Sequence, residues 1–437
     1  MIIDILFGLM GLAVLLAIAW VFSNNRSEVD WRVVVTGVSL QIVFAIFVIL
    51  TPWGTMVFDA VGSVFVQIIN FTNEGSAFIF GVLADQTAFD NIVPTEQQGQ
   101  GKGFFFAFQV LPTLIFFASL MSVLYHLEIM QKLVGLMAKG MVKLLKVSGS
   151  ESISVAANVF IGQTEAPLVV RPYVSGMTKS ELLTMMVGGM ATIAGGVLAA
   201  YVGLLGGTDP ELQVYYAKHL LSASIMAAPA TIVIAKILMP ETQESQTMGE
   251  VKVNIEKTSS NVIDAAATGA ADGLKLALNV AALLLAFIAL IAMANWIVQG
   301  IFTDLLGLTI AGKPINIQLL LGYLLSPIAW IIGVPWADAV NVGSLIGQKV
   351  VLNEFIAYLE LSNLKSVMSD KAVLISTYAL CGFANFSSIA IQIGGIGGIA
   401  PDRREDLAKF GLRAVLGGSL ATFMTATIAG VLTGFGG

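Results

Sequence analysis

Three consecutive polar residues, Gln163, Thr164 and Glu165, stand in the middle of an otherwise apolar stretch, AANVFIGQTEAPLVVRPYV, at 156–174. Amide, hydroxyl and carboxylate together can hydrogen-bond a polar solute, but only away from lipid. Successive helical residues point about 100° apart, so a regular helix cannot aim all three at one site. An unwound tip can. Pro167 has no N–H and leaves the Gln163 carbonyl without its partner four residues on, which favours unwinding. Irregular backbone at membrane depth survives only where it is buried in protein or lines a cavity, so this tip is expected to line one. A carboxylate at the bilayer centre costs at least about 2.5–3.5 kcal/mol. Glu165 is therefore read as functional, the plain alternatives being an interfacial loop or neutralisation by Arg171.

A second acid, Glu354, lies in VVLNEFIAYLE, and the segment LCGFANFSSIAIQIGGIGG places Asn385 and Ser388 three apart, on one helical face. Bonding between helices is the ordinary use of Asn and Ser in membranes. Two glutamates reaching one depth from opposite sides argue instead for a shared site. Asn158 precedes Ile161 by three residues, and Thr192-Ile193 opens a break at Gly195-Gly196. Asn and Thr oxygens with unwound carbonyls are the hard ligands a sodium ion takes. No HExxH, Walker A or GxSxG stretch is present, and His126 and His219 form no ligand pair, so the chain is read as no enzyme. Two acids facing one site disfavour an anionic substrate. Mixed donors and acceptors beside Phe383 and Phe386 suit a neutral, polyhydroxylated ligand with an aromatic face.

These residues need a membrane scaffold, and the composition supplies one. Of 437 residues, 57% are hydrophobic and 11% charged, with mean hydropathy +0.86, whereas a soluble domain carries about 25% charged residues. A net charge of -6 gives no reason to expect a nucleic-acid partner, and Cys381, the single cysteine, cannot form an intrachain disulfide. Residues 3–22 lack a basic leader and a cleavage site, and read as a retained helix.

Roughly twenty apolar residues span a bilayer. Eight windows qualify, near 3–22, 32–52, 103–127, 180–206, 216–239, 273–302, 371–400 and 411–434. Two others, about 150–176 and 316–358, contain the Pro-punctuated turns TEAPL and GVPWADA and read as hairpins that enter and leave on one side. Residues 55–85 and 128–149 read as amphipathic surface helices, the latter through Lys132, Lys139, Lys143 and Lys146. With both termini outside, the cytoplasmic loops collect most of the Lys and Arg, as the positive-inside rule asks. The two hairpins then enter from opposite faces, each followed by two spans, which is the inverted-repeat plan of secondary transporters. GMAT (189–192) and GFAN (382–385) echo one another at matched positions. The expected organisation is 1–127, N-terminal spans and interfacial helix, mainly scaffold; 128–239, first repeat; 240–260, cytoplasmic linker; 261–315, long scaffold span; and 316–437, second repeat.

GQTEAPLVVRPYV, NEFIAY and CGFANFSSIAI, with NVIDAAATGA and IGVPW between them, closely resemble the concentrative nucleoside transporter family over most of the chain, in order. The chain looks like a bacterial member, sodium-coupled, with no extra N-terminal spans. The resemblance implies an all-α integral membrane fold of eight transmembrane helices and two re-entrant hairpins, working as a homotrimer by an elevator motion in the bacterial inner membrane. It implies nucleobase contacts from Gln163, Thr164, Glu165 and Val197, and ribose contacts from Glu354, Asn385 and Ser388, with Phe383 giving apolar contact. For a co-transported sodium ion it implies the side chains of Asn158 and Thr192 and the carbonyls of Ile161 and Ile193. Thr192 falls where the family often has Ser, and the hydroxyl is kept. The rivals are a proton-coupled nucleoside carrier, an intramembrane enzyme, for which no nucleophile-base or paired-aspartate arrangement is found, and a structural membrane protein, which leaves both glutamates unexplained. Purine or pyrimidine preference is not legible.

Overall fold

The computed structural model describes residues 2–93, 104–249 and 259–435, and is almost wholly helical. The N-terminal helices are α1 (Ile2–Val21), α2 (Trp31–Leu50), α3 (Pro52–Phe80), the short α4 (Gln86–Ile92) and α5 (Phe106–Gln109), and α6 (Leu111–His126). The first repeat follows: α7 (Ile129–Leu145), α8 (Gly149–Asn158), single turns α9 (Ala166–Val169) and α10 (Arg171–Val174), α11 (Lys179–Ala191), α12 (Gly195–Gly206) and α13 (Pro210–Leu238). Then come α14 (Val262–Val298), a small two-stranded hairpin, α15 (Ile317–Ile331), α16 (Ala339–Val351), α17 (Glu354–Leu364), α18 (Asp370–Ala379), α19 (Phe386–Ile399) and α20 (Arg404–Leu432).

The core forms where α11, α13, α18 and α20 pack together, and α1 and α2 lie against α13 and α20. In their most apolar windows α13 and α20 are each 89% buried, whereas α14 is only 17% buried and presents Leu and Ile outward. A helix apolar all round and unburied needs lipid or another subunit around it. α14 makes its closest approach to α6, where an added Cβ at Gly269 would meet the Ala118 carbonyl at 2.6 Å and one at Gly273 the Ile115 Cα at 2.7 Å. Small residues four apart allow that approach, and Ser119 Oγ donates to Ala266 O across it at 2.9 Å.

In α7, Met130, Val134, Ala138, Met141 and Leu145 are buried while all four lysines are exposed, as the sequence suggests. Residues 52–80, which cover most of the stretch read as a surface helix, form one continuous helix that is also long and apolar enough to cross a membrane. Two expectations need adjustment. The window 371–400 is two helices, each too short to span alone, because the chain unwinds between Ala379 and Phe386. In the second hairpin the GVPWADA turn joins α15 to α16, but the tip bearing Glu354 lies further on, at Leu352–Asn353 between α16 and α17. Pro punctuation marked a connection, not the working tip.

Of the linker 240–260, residues 250–258 lie outside the described residues. The remainder is a fastener. Thr247 accepts from Gly149 N (2.8 Å) and Ser150 N (3.1 Å) at the start of α8, and Glu241 accepts from Thr178 Oγ1 (2.7 Å) before α11. Lys236, at the end of α13, pairs with Glu151 at 2.8 Å and Glu241 at 3.3 Å. Three helix ends thereby become one body.

Candidate functional site

The first tip forms because α8 ends at Asn158 and Pro167 opens the next helical turn. Between them Gly162 N donates to Glu165 Oε2 at 2.7 Å, so Glu165 closes its own loop. The tip is held on two sides. Gly195 N, entering α12, donates to Phe160 O at 3.0 Å. Gln163 Nε2 donates to Ser388 Oγ on α19 at 3.0 Å.

The second tip is set by asparagine caps, which satisfy free N–H groups at helix starts. Asn353 accepts from Ile356 N at 3.0 Å and starts α17, placing Glu354 on its first turn. Asn385 accepts from Ser388 N at 2.9 Å and starts α19. Its other end donates to Glu354 Oε2 at 3.0 Å, while Tyr201 OH donates to Oε1 at 3.2 Å. Both carboxylate oxygens are held, and the residue is 3% exposed. Buried charge needs such partners.

Glu354, Asn385, Ser388 and Gln163 thus form one polar chain crossing from the second repeat to the first tip. Glu165 lies apart from it, opening onto a cavity of about 390 Å³ lined by Phe117, Tyr125, Phe160, Val197 and Asp272 among others. Of the two glutamates, Glu354 is buried and Glu165 is exposed to the cavity. Val197 is buried at this cavity's wall, Thr164 packs towards Gly395 of α19, and Phe383 is half-buried in the second break. Phe386 is exposed.

The four expected sodium residues are all buried. Asn158 Nδ2 donates to Ser154 O at 3.0 Å, leaving Oδ1 buried without a hydrogen-bond partner. Thr192 Oγ1 donates to Gly188 O at 2.9 Å, keeping its lone pairs free. Both side chains meet at Gly188, where an added Cβ would lie 3.4 Å from Asn158 Nδ2. Orphaned hard oxygen in a buried place suits a monovalent cation.

Two residues escaped the sequence reading. Gln392 Nε2 donates to Gln163 Oε1 at 3.1 Å and to Met186 O at 3.0 Å, tying the tip to α11. It lies seven residues after Asn385 and four after Ser388, a same-face spacing that could have revealed it. Tyr201 stacks on Tyr358 at 4.1 Å as it holds Glu354. It lies four residues after Val197, but nothing local ties it to Glu354, 153 residues on.

Family comparison agrees with this architecture. The chain matches the model of the Na+ dependent nucleoside transporter N-terminus at 10–83, a nucleoside recognition gate model at 107–208 and the Na+ dependent nucleoside transporter C-terminus at 219–430. It is 45% identical to the uncharacterized transporter YutK of Bacillus subtilis, over 98% of this chain and 99% of that one. Nucleoside permease NupC of Helicobacter pylori is 40% identical over 99% of both chains. Mouse sodium/nucleoside cotransporter 1 is 38% identical over 97% of this chain and 63% of its own length. Among solved structures, CNTnw in an inward-facing substrate-bound state superposes with a TM-score of 0.89 at 42% identity, covering 99% of this chain and 98% of that one. An outward-facing CNTnw structure gives 0.90 at the same identity, covering 99% of both chains. These family and structural neighbours are transporters, not enzymes, and the chain belongs to the concentrative nucleoside transporter family.

Proposed function

We propose that this protein imports nucleosides across the bacterial inner membrane by symport with sodium. The observation that carries the reading is the Gln163–Ser388 hydrogen bond at 3.0 Å, which joins the first tip to the helix bearing the other polar set. Gln163, Thr164, Glu165 and Val197 take the nucleobase. Glu354, Asn385 and Ser388 take the ribose hydroxyls, with Phe383 beside them. Sodium occupies the place between Asn158, Thr192 and the carbonyls of Ile161 and Ile193. Its binding orders the first tip and raises nucleoside affinity, a coupling free energy between two sites.

The motion proposed is an elevator in a homotrimer with both termini outside. The packing supports α6 and α14 as the static scaffold, while α1 and α2 travel with the core against which they lie. This moves the boundary from the one that residues 1–127 suggest as a block. The outward apolar face of α14 suits a subunit contact.

The test is uptake of radiolabelled uridine into proteoliposomes, with an inward sodium gradient or choline in its place at constant pH. Accumulation that requires sodium supports the symport. Uptake that follows a pH gradient and ignores sodium keeps the nucleoside site and removes the sodium role of Asn158 and Thr192.

A further inference from the structure

The sodium place proposed above lies between a hairpin arm and a broken helix, and the long helix that closes the repeat packs against both beside it. Asn158 ends the arm α8, and Thr192 opens the break after α11. Thr231 lies on α13, with its buried hydroxyl lacking a hydrogen-bond partner like Asn158 Oδ1. An added Cβ at Gly188 would be 3.4 Å from Asn158 Nδ2 and 3.6 Å from Thr231 Cγ2, so the three elements converge there.

The second repeat has the same three parts in α16, α18 and α20. At their junction stands a lysine. Lys349, near the end of α16, is fully buried and donates from Nζ to Ala379 O at 2.8 Å and Thr422 Oγ1 at 3.2 Å. Ala379 is the last residue of α18 before its break, and Thr422 lies on α20 as Thr231 lies on α13. The Phe423 ring stands 6.0 Å from Nζ, and among the described residues no carboxylate pairs with it within ion-pair distance. An ammonium at a helix C-terminal end meets carbonyls that carry partial negative charge. It also offers the donors that orphaned oxygens otherwise leave to a metal ion.

We infer that Lys349 is a tethered cation filling the second-repeat counterpart of the sodium place, so that the protein binds one sodium ion and carries the other positive charge within its own chain. This rests on the sodium reading for its stoichiometry, but not for the role of the lysine. As a positioning residue Lys349 fixes the end of α16, five residues before Glu354, against the break in α18.

The experiment compares sodium activation of uridine uptake for wild type, Lys349→Met, Lys349→Ala and Thr422→Val in proteoliposomes. Wild type is expected to show a sodium slope near one. Lys349→Met keeps the chain length without the charge, and uptake falls by about tenfold or more, the scale of one charged hydrogen bond. Lys349→Ala leaves space, so high sodium recovers uptake along a slope approaching two. A wild-type slope of two, or a Lys349→Ala curve that superposes on wild type, overturns the inference. Should either lysine variant fail to assemble, Thr422→Val decides: a several-fold loss of uptake supports the assignment, and wild-type uptake overturns it. Wild-type uptake indifferent to sodium would remove the symport reading alone, leaving Lys349→Met and Thr422→Val to judge the lysine by uptake under a proton gradient.

Discussion

Phe383 donates its backbone N–H to the carbonyl of Thr192 at 3.3 Å, so the breaks in the two discontinuous helices touch one another. Each break frees backbone groups that membrane burial would penalise, and here one supplies the donor the other lacks. Gly382 permits the contact. An added Cβ there would lie 2.7 Å from Met190 O and 3.0 Å from Ala191 C, backbone atoms that cannot rotate away. Gly382→Ala is therefore expected to cost about 1–3 kcal/mol, the scale of overpacking. Melting of the purified protein should fall and uptake with it. Unchanged melting would show that the breaks need not touch.

Glu354 accepts from both Asn385 and Tyr201, so under the proposed function an arriving nucleoside hydroxyl would find a carboxylate already oriented. Glu354→Gln keeps the shape but removes the charge and turns one acceptor into a donor. Charged hydrogen bonds contribute about 1.5–3 kcal/mol each, so a loss of uptake of at least tenfold is expected while oligomer assembly is unchanged. Tyr201→Phe removes one charge-assisted bond to that carboxylate and should lower uptake by about tenfold. Normal uptake by Glu354→Gln would sink the ribose-binding role.

The legible parts were those encoded by local contrast. Gln163-Thr164-Glu165 in an apolar run announces an unwound tip, because lipid does not tolerate it without cause, whereas Asn385 three before Ser388, read as a shared helical face, is the N-cap of α19 and accepts from Ser388 N. The second tip was harder to see. Asn353 starts α17 by capping Ile356, a signal that also fits any helix start, while Pro335 in the preceding turn looked more disruptive. Tyr201 and Lys349 are not legible because each acts through a partner on another element. Periodicity reports which face a residue shares within one helix and is silent on what crosses to meet it.

Lys236 is the hub of the polar cap formed by the linker. It is buried and pairs with Glu151 at 2.8 Å, which is itself 1% exposed. Removing one member of a buried pair leaves the other charge uncompensated, at about 3–5 kcal/mol. Lys236→Met should lower the melting temperature strongly, and adding Glu151→Gln should recover part of the loss. A double variant no more stable than Lys236→Met would mean that the pairing with Glu151 is not what the lysine contributes.

Gln392 links Gln163 to the carbonyl of Met186 without standing in either predicted contact set. Its amide N–H groups are shared between the tip and α11, so it fixes which way the Gln163 side chain faces. Gln392→Leu keeps the approximate volume and removes both bonds, each worth about 0.5–1.5 kcal/mol. Gln163 Nε2 can still donate to Ser388, so the proposed site should persist with a less ordered Gln163 amide. The expected outcome is a several-fold rise in the KM for nucleoside, with maximal uptake at saturating nucleoside and the sodium activation slope close to wild type. A variant with unchanged KM would show that Gln163 is oriented by Ser388 alone. A fall in maximal uptake at unchanged KM would instead place Gln392 in the coupling of α19 to α11 during the transport motion, and not in substrate recognition.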